Sequence, residues 1–153
     1  MKINLKIWVS LLALGLGHQV MADQYSDSVN LSKEREQVIR DYILDLEKAD
    51  YQGITSLFTE NGSVISTSRG KVLAYDFFYS FLPSIEQANT ELHQTFKSSN
   101  NSNRYAARFH FNFKLKDGEE GDGEYVDEFI FENDSTKLIS VSMFENLKFN
   151  LKN

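Results

Sequence analysis

The chain has no cysteine among its 153 residues, which excludes disulfides, thiolate metal ligands and thiol nucleophiles together. It has one proline, Pro83, and one tryptophan, Trp8. Basic residues are in deficit, 16 Lys and Arg against 22 Asp and Glu, for a formal net charge of −6. That balance argues against nucleic acid as a partner, because a phosphate backbone is held by clustered Lys and Arg. No apolar run is long enough to cross a bilayer comfortably, which takes about 20 residues. There is no internal repeat, phosphate-binding glycine loop, nucleophile elbow or zinc signature. What the chain does have is aromatic material, 12 Phe and 7 Tyr. Each buried ring removes roughly 150–250 Å² from water, so a core can be built without disulfides.

At the start, Lys2 and Lys6 precede the apolar run Ile7–Leu16, and Val20-Met21-Ala22 leads into polar sequence. This is the layout of a secretory signal peptide over residues 1–22, with cleavage expected after Ala22. The expected destination is the periplasm or the exterior, with no stable membrane anchor. No cysteine follows the small residues, so a bacterial lipobox is excluded. Residues 23–32 carry little periodicity and read as a flexible lead-in, and residues 33–150 as one domain.

Val38, Ile39, Tyr42, Ile43 and Leu46 recur at spacings of three and four, an amphipathic helix for which Ser32 is the expected cap. Asp50 is placed to cap a second helix through the amide of Gln52 or Gly53, with Ile54, Leu57 and Phe58 as its apolar face. Asn61-Gly62 reads as a turn and Ser63–Ser68 as a strand, broken by Arg69-Gly70. Leu73, Ala74, Phe77, Phe78 and Phe81 share the face of a third helix that Pro83 stops. Beyond Thr90 the period changes to two. Leu92, Gln94 and Phe96 alternate with polar residues, and Tyr105, Ala107, Phe109, Phe111 and Phe113 define the clearest strand. Strands follow over Glu124–Phe131 and Lys137–Phe149, the latter with Ile139, Val141 and Met143 facing in. Helices followed by antiparallel strands make an α+β class.

Tyr42, Leu46, Asp50, Gly53, Leu57-Phe58, Val64 and Gly70, with an aromatic helix and four strands after them, form a pattern over Glu34–Phe149. The chain resembles the nuclear transport factor 2-like superfamily, and within it is most similar to the SnoaL-like and ketosteroid isomerase branch. The resemblance implies a cone-shaped barrel of three N-terminal helices packed on a curved antiparallel sheet, with a cavity in the cone and frequent homodimers. It does not transmit an activity, since one fold hosts many.

Asp127 is the most informative polar residue, because alternation puts it with Tyr125, Phe129 and Phe131 on the aromatic face. A carboxylate there is costly unless paired, hydrogen-bonded or protonated. The resemblance implies that Asp127 occupies the place of the acid that donates to an oxyanion in ketosteroid isomerases, and Tyr42 the place of the tyrosine that joins it. Pairing of Asp127 with a buried tyrosine or with Arg69 is the structural alternative. The isomerase base should be a carboxylate where Ser66 stands, and a serine without an adjacent base cannot abstract a proton near neutral pH. If ionised, Asp127 itself is the remaining candidate base. His93 and His110 fall on polar strand faces, and the acidic loop Asp117–Gly123 lacks the D-x-D-x-D-G spacing of a calcium loop. No cofactor or metal is expected.

The leading expectation is therefore a small hydrophobic or aromatic molecule bound in the cone, touching Phe77, Phe78, Phe109, Phe111, Phe129 and Met143, with Tyr42 and Asp127 holding its polar group. Turnover would be cofactor-independent, of isomerase, cyclase or dehydratase type. The alternative is a non-catalytic module with a filled cone, homodimerising or docking a partner through an outer sheet face that carries Leu138, Phe144, Leu147 and Phe149.

Overall fold

The computed structural model describes residues 7–147, with side chains from 25 to 145. Helix α1 (Ile7–Glu47) buries Ile39, Tyr42, Ile43 and Leu46 along one stripe, at the spacing the sequence carries. It runs unbroken through residues 23–32, so Ser32 is not its cap. The Ser32 hydroxyl lies 3.0 Å from the Tyr105 hydroxyl and accepts from Lys97 Nζ at 3.0 Å, tying the helix to the sheet. Asp50 does cap α2 (Tyr51–Ser56), accepting from the Gly53 amide at 2.9 Å. Six residues would not hold a helix alone, so α2 depends on this cap, worth about 1 kcal/mol, and on buried Ile54.

Strand β1 (Phe58–Ser66) starts earlier than expected, and Asn61-Gly62 lies inside it. Its register against the last strand slips between Phe58 and Ser63, which absorbs the Asn-Gly pair. Gly62 is required there, since a Cβ would fall 2.8 Å from that of Phe58 and 3.0 Å from the Leu138 carbonyl. Gly70, at φ +65°, makes the turn into β2 (Gly70–Leu73). Helix α3 (Ala74–Phe81) buries Ala74, Phe77 and Phe78 and runs into a 3-10 turn that carries Pro83.

Strands β3 (Ile85–Lys97), β4 (Arg104–Leu115), β5 (Glu120–Phe131) and β6 (Leu138–Leu147) complete one six-stranded sheet in the order β2-β1-β6-β5-β4-β3. The sheet is curved and unclosed, and the helices pack on it. It is mixed, not purely antiparallel. The four-strand meander begins at the far edge and works inward, so β6 arrives beside β1 running the same way.

Two bulges set which residues face the core. His93 is the extra residue between the Leu92 and Gln94 pairings, so Phe96 turns outward and is 45% exposed instead of sharing the face of Leu92. Ile139 is the extra residue in β6, so Leu138, expected outside, is wholly buried, and Ile139, expected inside, is exposed. Phe144 is on the outer face as expected. Leu147 and Phe149 lie outside the described side chains.

Arg35 closes one end of the assembly at 2% exposure. Its Nε donates to the Ser135 carbonyl (2.8 Å), Nη1 to the Ser102 carbonyl (3.1 Å) and Asn103 Oδ1 (2.9 Å), and Nη2 to the Glu132 carbonyl (2.7 Å). The guanidinium lies 5.2 Å from the Phe131 ring centroid. One planar fork thus ties α1 to the β3–β4 and β5–β6 loops.

Candidate functional site

A cavity of about 300 Å³ remains between the concave sheet face and the helices, so the cone is not filled by its own side chains. Phe109, Phe111 and Phe113 of β4 and Tyr125 of β5 form one wall, and Phe77 and Phe81 of α3 face them. Phe81 packs edge to face on Phe113 at 5.5 Å, and within the sheet wall Phe111 lies edge-on to Tyr125 at 5.8 Å while Phe109 stacks on it at 5.7 Å. A wider hollow at Asn89, Asn112 and Asp122 is open to solvent and lined by no buried polar side chain.

Asp127 belongs to the wall of the aromatic cavity and is 1% exposed. Strand alternation carries it inward between Tyr125 and Phe129, opposite Ala107 on β4 and Met143 on β6. Its Oδ2 accepts from the Tyr42 hydroxyl at 3.4 Å, and its Oδ1 has no partner. Burial pushes the carboxyl up to about 8; the Tyr42 bond pulls the other way and the charge of Glu145 adds to the rise. At neutral pH the group is therefore mainly the uncharged acid, able to donate or accept. Tyr125, beside it, is raised to about 12 by burial first and by Glu145 next.

Tyr42 does not reach the cavity wall. Its ring is enclosed by Phe58, Phe78 and Phe129, the last edge-on at 5.1 Å, and its hydroxyl ends on Asp127. Burial, with Asp127 behind it, raises the phenol well above its usual range. Of the expected pair of donors, Asp127 lines the cavity and Tyr42 stands behind it as its hydrogen-bond donor. Phe78 and Phe129 likewise stand behind the wall. Both are wholly buried and pack on Tyr42, whereas Phe77, Phe109, Phe111 and Met143 do line the space.

The remaining wall and rim escaped the sequence pattern. Glu145 faces in two residues after Met143, and alternation from Val141 could have found it. Ser68 and Arg69 reach the cavity from the turn after β1, where no periodicity operates. Arg69 lies over the Phe77 ring at 5.2 Å and donates to the Ser80 hydroxyl. Glu119 and Glu120, from the acidic loop, also border the cavity. Ser66 is not in the cavity: its Oγ accepts from the Arg69 amide at 3.2 Å and braces that turn. His93 and His110 sit on the outer face, as alternation predicts, both against Glu124 Oε1 (3.3 and 3.1 Å).

No protein-family model and no curated protein sequence matches the chain. Solved structures do. An NTF2-like protein of unknown function from Burkholderia pseudomallei superposes with a TM-score of 0.60 at 12% identity, over 74% of this chain and 91% of that one. The epoxide hydrolase/cyclase-like enzyme SalBIII, of pyran ring formation in the polyether salinomycin, gives 0.61 at 16% identity, over 74% and 92%. The chain has the nuclear transport factor 2-like fold. A protein from Shewanella denitrificans assigned as a SnoaL-like polyketide cyclase shares this fold at a TM-score of 0.61 and 10% identity, over 73% and 90%. At such identities the likeness concerns the nuclear transport factor 2-like fold alone, and the chemistry has to be argued from the cavity.

Proposed function

We propose that this domain binds a small, largely apolar or aromatic molecule in the cone, with the ligand's polar group meeting Oδ1 of Asp127. One observation carries the reading: a buried carboxyl oxygen without a protein partner, on the wall of an aromatic cavity of about 300 Å³. An unsatisfied buried polar atom costs roughly 1–3 kcal/mol, so a ligand that pairs with it gains that much over one that cannot. Binding is favoured over isomerisation by the family mechanism, because Ser66 stands in place of the carboxylate base and faces the turn. The structural relatives that include cyclase-like proteins support a SnoaL-like binding role.

The test is a thermal-shift screen of the protein against hydrophobic carbonyl, phenolic and amine compounds. A binder at 100 times its dissociation constant adds about 2.7 kcal/mol of stability. The shift should vanish in Asp127→Ala and persist in His110→Ala on the outer face. Equal shifts in both variants would move the ligand elsewhere.

Export belongs to the same proposal, and it rests on the leader pattern before Ala22. Mass spectrometry of protein recovered from the cell envelope should find a mature chain beginning at Asp23. A second reading, homodimerisation through the outer sheet face, is favoured by the exposed cross-strand pair Val126 and Phe144. Sedimentation should then give a dimer that Phe144→Lys dissociates.

A further inference from the structure

Resting on the cavity proposed above, we infer that its ligand is an organic cation, a small aromatic or aliphatic amine, and not a neutral carbonyl or an acid. The first ground is the imbalance of charge around the space. Four carboxyl groups belong to its wall and mouth, Asp127, Glu145, Glu119 and Glu120, against one guanidinium. Among the described residues the Glu145 side chain has neither a hydrogen bond nor an ion pair, whereas Arg69 is already engaged by Phe77 and Ser80. A carboxylate ligand would enter past three glutamates. An ammonium would be drawn by them.

The second ground is the wall itself. Phenyl and phenol faces attract a cation through their quadrupole and offer nothing comparable to an anion. The third is the buried Oδ1 of Asp127, which has no protein partner and is an acceptor when ionised. An ammonium placed beside it favours the charged form, so the carboxyl loses its proton as the cation arrives. The groups that face this carboxyl are Tyr42 from α1, Tyr125 on its own strand and Glu145 from β6, none of them a cation. The one guanidinium of the cavity, Arg69, lies over Phe77 and donates to Ser80, so no cation pairs with this carboxyl.

The experiment is isothermal titration calorimetry of the intact protein at neutral pH with three probes of similar size: phenethylamine, phenethyl alcohol and phenylacetate. The amine should bind about tenfold or more tighter than the alcohol, and the acid least tightly. Glu145→Gln should weaken the amine severalfold more than it weakens the alcohol. Repeating the titration in buffers of different ionisation enthalpy should show proton release with the amine in the native chain, and none in Asp127→Asn. If the alcohol binds as tightly as the amine, or the acid binds best, the cation inference fails while the cavity reading stands. If none of the three binds and the broader screen is also silent, the cavity reading itself is lost.

Discussion

Tyr42 on α1 and Asp127 on β5 meet through one long hydrogen bond of 3.4 Å, sealed from water, which leaves Oδ1 of the same carboxyl without a partner. Helix and sheet are joined at this point by a weak contact between two groups whose ionised forms burial opposes. The carboxyl belongs to the cavity wall, and its second oxygen has no protein partner.

Replacing Asp127 by asparagine should stabilise the empty protein more at alkaline than at acid pH. The carboxyl rises from 3.8 to about 8 on folding, so between those values the folded state holds a proton that the unfolded state has lost. Stability therefore falls as pH rises through that window and levels off above about 8. An asparagine amide does not titrate. The difference in melting temperature between the Asp127→Asn variant and the native chain should grow from about pH 4 to about pH 8. A constant difference would mean that Asp127 titrates as an exposed carboxyl does.

Tyr42→Phe should cost roughly 1–3 kcal/mol, since it leaves the buried Asp127 carboxyl without its one hydrogen bond. Because that bond lowers the proton affinity of Asp127, its loss should move the carboxyl further upward, as read by carbon NMR of the side chain across pH. The affinity of a neutral ligand should change by less than about threefold, because Tyr42 is not on the wall. A much larger loss would place the phenol in contact with the ligand.

Arg35→Met should destabilise by roughly 3–5 kcal/mol, leaving three loop carbonyls and the Asn103 amide oxygen without their donor. Arg35→Lys should recover only part of this, because an ammonium cannot reproduce a fork reaching four acceptors. Urea unfolding of the three proteins decides it. Full recovery by lysine would show that charge, and not geometry, is what the loops require.

Gly121→Ala acts on the cavity through a neighbour. A Cβ at this position would collide with the tip of the Phe113 ring, which must then swing aside. Phe113 lines the same space, so ligand affinity should fall by about tenfold while stability drops by roughly 1–3 kcal/mol. Gly118→Ala, close by in the same acidic loop, has open space around it but sits at φ +91°, so it should cost stability through backbone strain and leave affinity unchanged.

Much of this was legible in one dimension because it follows from local period. The stripe Ile39, Tyr42, Ile43 and Leu46, the Asp50 cap and the inward turn of Asp127 each depend only on spacing along one element. The faces of Phe96, Leu138 and Ile139 differ from expectation because one extra residue in a strand inverts everything beyond it, and the bulges at His93 and Ile139 carry no sequence mark.

The sequence by itself determined that the chain is an aromatic-rich, cysteine-free α+β domain with a carboxyl among its inward phenyl groups, since composition and periodicity need no partner to act. Which groups share the cavity with that carboxyl was decided only when the sheet curved over α3. Residues from the turn after β1, from α3 and from three strands converge there, and distance in space between side chains far apart in the chain is a product of packing. The same holds for Tyr42, which its position on the helix allowed to face a ligand and which the rings of Phe58, Phe78 and Phe129 enclose instead.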